Sequence, residues 1–168
     1  MKKQIEDALM VLRDQPLWSA GRAADLAWFQ FGERRTVKDY RGNPKVVGEY
    51  ALHVQTPWRI IREDRVIVGS NDLCDPATEN DSEGEDFDWA ASSPYGMDAK
   101  LTALFENETR QFLTRNIQIG EAGSFSIIFN DGYSLGVFPD GSSKREYWRL
   151  FNPYQGTAHF VFESRAEI

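Results

Sequence analysis

Apolar and polar residues alternate with period two through most of the last third of the chain, a rhythm that predicts strands buried on one face. Phe125, Ile127 and Phe129 precede Asp131-Gly132, and Tyr133, Leu135 and Val137 follow it. Asp-Gly between two such runs predicts a tight hairpin, because both central residues of a type I′ turn need positive φ. Pro139-Asp140-Gly141 supplies the next reversal. Over 146–151, Trp148 and Leu150 fall on one face, with Tyr147, Arg149 and Phe151 on the other. Over 157–163, Ala158, Phe160 and Phe162 oppose Thr157, His159 and Val161. With 111–119 upstream, the pattern predicts about five short strands in sequence order, an antiparallel meander.

Elsewhere the period changes. Ile5, Ala8, Leu9 and Leu12 recur at helical spacing, which predicts an amphipathic helix over 3–14 stopped by Pro16. Met97, Leu101, Leu104 and Phe105 predict a second helix over 98–107. Strands are expected over 17–20 and 25–32, joined around 21–24, and over the alternating run 46–55. Residues 57–61 and 65–68 bracket Glu63-Asp64 as a further hairpin. Residues 33–45 hold five bases against two acids and turn at Gly42-Asn43-Pro44, which reads as a solvated hairpin. The sum is an α+β fold in a single domain over 1–168. A strongly curved, mainly antiparallel sheet ends in the C-terminal meander, with an N-terminal helix and one central helix packed on it. At 168 residues the chain can bury roughly 70% of its unfolded surface without staples.

Charge adds one segment to this picture. The formal net charge is −7, which disfavours nucleic acid as a partner. Eight acids and no base lie between Asp72 and Asp88, and without them the charge would be +1. Such a stretch is too polar to bury, so a long exposed acidic loop is expected at about 71–90. Asp75, Glu79, Asp81, Glu83, Glu85, Asp86 and Asp88 become candidate contacts to a protein partner with a basic surface. A calcium loop fails on its own geometry. With Gly84 at the invariant glycine, the position that needs a bidentate Glu falls on Ala90. Paired-carboxylate hydrolysis needs two acids held roughly 5–10 Å apart, one of them partly buried, and eight solvated ones do not provide that. The single cysteine, Cys74, excludes an intrachain disulfide and a thiolate zinc cluster, and fits a reducing cytosol. Glu6 and Asp7 interrupt the region where a signal peptide would carry its apolar core. The expectation is a cytoplasmic protein with no metal, no cofactor and no membrane association.

Trp58-Arg59 and Trp148-Arg149 form a matched pair. Adjacent strand residues point to opposite faces, so each Trp can enter the core while its Arg emerges beside an acid. The functional counterpart is an aromatic-lined pocket between sheet and helices, with Trp28, Trp58, Arg59, Trp148, Arg149 and His159 as its candidates. His53 and His159 read as sheet-surface histidines, and as metal ligands only if their strands adjoin. The pattern Glu146-x-Trp148-Arg149-Leu150-Phe151, followed by His159-Phe160-Val161, resembles small bacterial cytosolic proteins of an uncharacterised family. Some such groups are similar to immunity proteins encoded beside polymorphic toxins. The resemblance covers about 125–163 and implies a stoichiometric protein partner without catalysis. The leading expectation is therefore a non-enzymatic protein-binding domain, an immunity-type inhibitor of a basic toxin acting through its acidic loop. The alternative is a small-ligand-binding domain or enzyme with a pocket near Trp58, Trp148 and His159.

Overall fold

The computed structural model describes residues 1–75, 96–107 and 110–163. Helix α1 (Lys2–Leu9) tightens into a 3-10 turn over Met10–Leu12, and Ile5, Leu9 and Leu12 are buried. It is shorter than the period suggested, because Arg13 is extended and Asp14 takes a φ of 61° that turns the chain into the first strand. Then follow β1 (Pro16–Ala23), β2 (Leu26–Phe31), β3 (Arg35–Lys38), β4 (Pro44–Val47), β5 (Tyr50–Val54), β6 (Trp58–Arg62) and β7 (Arg65–Gly69). A short 3-10 helix covers Ser70–Cys74, and α2 spans Gly96–Phe105. The last five strands are β8 (Phe112–Ile119), β9 (Phe125–Phe129), β10 (Tyr133–Val137), β11 (Glu146–Phe151) and β12 (Phe160–Glu163).

Ten strands form one sheet in the order β12-β11-β5-β2-β1-β8-β9-β10-β6-β7, every pairing antiparallel. The sheet is not closed, and β12 and β7 are its edges. Among the described residues, the strand pairing that joins its two halves is Pro16 with Leu113 and Leu17 with Phe112. The core lies on one face of both halves, and rings from strands distant in the order touch there. Phe29 of β2 packs edge-on against Trp58 of β6 at 5.1 Å, and Phe125 of β9 against Trp148 of β11 at 5.0 Å. Helix α2 buries Met97, Leu101 and Leu104, and is held to β1 by a bidentate pair from Arg22 to Asp98 at 2.9 and 2.8 Å. Among the described residues no helix is long and apolar enough to cross a membrane.

The C-terminal strands correct the expected meander. Strands β8, β9 and β10 do run in order, and Asp131 and Gly132 both take positive φ as their turn requires. The chain then leaves: β11 pairs with β5 and β12, on the other half of the sheet. A shift of register between Glu146 and Trp148 also puts Tyr147 inside with Trp148, both 0% exposed, where strict alternation had separated them. Strand β1 runs through Gly21, which punctuates nothing. Its missing side chain makes room for the Trp28 indole lying across it, and a Cβ would run into that ring. The run 46–55 breaks at Gly48-Glu49, sending Val47 into the separate β3–β4 hairpin. The expected loop at 71–90 begins instead as the 3-10 helix. Asp72 is tied there, accepting from the Gly69 amide at 2.7 Å and from Lys100 at 2.5 Å.

Candidate functional site

Register alone assembles the outer face of the first half. Gly21 pairs Trp28, Trp28 pairs His53, His53 pairs Arg149, and Arg149 pairs Val161, one row across five strands. Arg149 is gripped by both carboxylate oxygens of Glu146, which raises its already high pKa. Its Nη1 lies 3.3 Å from His159 Nδ1. The Phe151 ring sits between the two histidines, edge-on to His53 at 4.8 Å and stacked with His159 at 4.4 Å. That aromatic plug keeps the histidines from sharing an ion. Among the described residues no cluster of three metal-ligating side chains occurs. Burial, aided by the Arg149 guanidinium, pushes the His53 imidazole down to about 4, so it is neutral at physiological pH.

The outer face of the second half is built on glycine. Arg59 pairs with Gly136 on one side and Gly69 on the other. A Cβ on Gly136 would come within 2.5 Å of the Phe138 ring, so its absence lets that ring lie against the strand. The Arg59 guanidinium stacks over Phe138, 5.2 Å from the ring centroid. Beside this clip opens a cavity of about 600 Å³, lined by Trp58, Arg59, Val66, Ser70, Asp72, Phe138 and Asp140 among others. Among the described residues no carboxylate pairs with Arg59.

The six pocket candidates thus fall in three places. Trp58 and Arg59 edge the cavity, although Trp58 itself is only 3% exposed. Trp148 is in the core, its Nε1 donating to the Gly123 carbonyl at 3.0 Å. Trp28, Arg149 and His159 gather on the opposite half around His53. Each Trp-Arg pair does split between core and surface, and Arg149 finds its acid, Glu146. Phe138 and Gly136 escaped the sequence reading, although a glycine inside an alternating strand is itself a signal of close approach.

Of the partner candidates, Asp75 is exposed and its carbonyl accepts from the Gly96 amide at 2.8 Å. Glu79, Asp81, Glu83, Glu85, Asp86 and Asp88 lie outside the described residues. Comparison of the chain with protein-family models, with curated proteins and with solved structures finds no match in any of the three.

Proposed function

We propose that the chain works in the cytoplasm by binding another protein, presenting the acidic segment after Asp75 to a basic surface. The observation that carries this is the base of that segment. The Gly96 amide closes on the Asp75 carbonyl, and Asp72 holds both Gly69 and Lys100. The two ends therefore leave the fold side by side, and the sequence between them carries six acids and no base. Such a charge concentration steers a basic partner and speeds encounter by about 10- to 1,000-fold at low salt. The resemblance of 125–163 to immunity-type proteins supports a basic toxin as that partner, and the single cysteine supports a reducing compartment.

We infer that the sheet is strongly curved. Strands β5 and β6 are joined by residues 55–57 alone, yet five strands separate them in the order. Laid flat, six strand spacings put them roughly 29 Å apart, while that link reaches about 14 Å. The link also bonds to both halves, Gln55 N to the Tyr147 carbonyl and Phe138 N to the Pro57 carbonyl, each at 2.8 Å.

The test is affinity capture from the native cytosol at low and moderate salt. The chain is compared with a variant neutralised at Glu79, Asp81, Glu83, Glu85, Asp86 and Asp88. One stoichiometric basic partner, weakened by salt and lost in the variant, is expected. A partner held equally by both would move the interface elsewhere, and none at either salt would overturn the reading.

A further inference from the structure

We propose that the cavity beside Arg59 binds a small zwitterion, an α-amino acid with an apolar side chain; this stands independently of the acidic segment. A guanidinium stacked on a ring uses its face there and keeps its in-plane N–H donors for a planar anion. Arg59 is exposed, rests on Phe138 and pairs with no carboxylate among the described residues. Its in-plane donors are therefore placed to receive a carboxylate.

The other end of the ligand is set by the acids. Both oxygens of Asp72 are already engaged, Oδ2 by the Gly69 amide and Oδ1 by Lys100. Asp140 is different. Among the described residues its Oδ1 makes only long contacts, 3.7 Å to Arg145 and 3.5 Å to the Thr56 hydroxyl, so it keeps capacity for an ammonium group. Its carboxylate, in the same lining as Arg59, also makes the cavity a poor host for a doubly charged phosphate. Val66 and Phe138 supply apolar surface in the same lining. Val66 is 59% exposed and Phe138 37%, which gives a side chain something to cover. At about 600 Å³ the cavity is within the range of small-molecule sites and holds an amino acid with room to spare.

The test uses the full chain and three probes titrated by amide NMR: phenylalanine, 3-phenylpropanoate, which lacks the amine, and phenethylamine, which lacks the carboxylate. Phenylalanine is expected to bind at least about tenfold more tightly than either analogue, with shifts centred on Arg59, Ser70 and Phe138. Arg59→Gln should reduce phenylalanine to the level of phenethylamine, and Asp140→Asn to that of 3-phenylpropanoate. Arg149→Gln, on the other half of the sheet, should change nothing. Equal binding of all three probes, indifference to both variants, or no binding of phenylalanine at tens of millimolar would each overturn the assignment.

Discussion

His53 shows how a single side chain ties this fold to pH. It lies mid-strand between Trp28 and Arg149, with Phe151 against its edge. Unfolded, it takes up a proton near pH 6.5; folded, burial and the Arg149 guanidinium defer that to about 4. Protons therefore favour the unfolded chain in that window, and stability intact above pH 6.5 is lost as pH falls toward 4. Replacing His53 by Phe should shrink the drop in denaturation midpoint between pH 7.5 and 5. An unchanged drop would mean that His53 is not the responsible group. The sequence placed this histidine on the sheet surface, but not the neighbours that discharge it. Those neighbours come from β2 and β11, and only pairing brings them together.

At the scale of elements, the turn between β8 and β9 is the piece on which the two halves close. Gly123 takes a φ of +79°, accepts the Trp148 indole N–H and lies under the Phe162 ring, which a Cβ would overlap. Strain and overpacking act together there, so Gly123→Ala should cost roughly 2–4 kcal/mol in chemical denaturation. Gly156→Ala, with open space around it, should stay within about 0.5 kcal/mol. Local pattern foretold the strands of this region well, because alternation and Asp131-Gly132 are short-range signals. It did not foretell partners. Pro139-Asp140-Gly141 announces a reversal, yet nothing local says that β11 should cross to β5 rather than return along β10. That choice is made by the core, where Trp148 finds Phe125, Phe160 and Phe162. The bulge that turns Tyr147 inward and the Trp28 ring over Gly21 are hidden for the same reason. The six pocket candidates scatter for the same reason, since which strands lie side by side is decided by pairing between segments distant in sequence.

For the molecule as a whole, the narrow seam between the halves raises the question of independence. Two residue pairs join β1 to β8, which would suit two separable units. The side chains argue otherwise. Phe29, Phe31 and Trp148 of one half pack on Trp58, Phe129 and Phe125 of the other. Neither face can be exposed without stripping its partner, so unfolding should be a single transition. Methyl resonances of Leu52 and Val54 should vanish at the same denaturant concentration as those of Ile127 and Leu135, and separated midpoints would refute this. With Asp75 and Gly96 one hydrogen bond apart, whatever joins them closes a gap of fixed size, and doubling its length costs only about 0.6 kcal/mol in closure entropy. The position behaves as a socket. Lengthening, shortening or exchanging the sequence between those residues is therefore expected to cost the sheet little, which chemical denaturation of an insertion series would check.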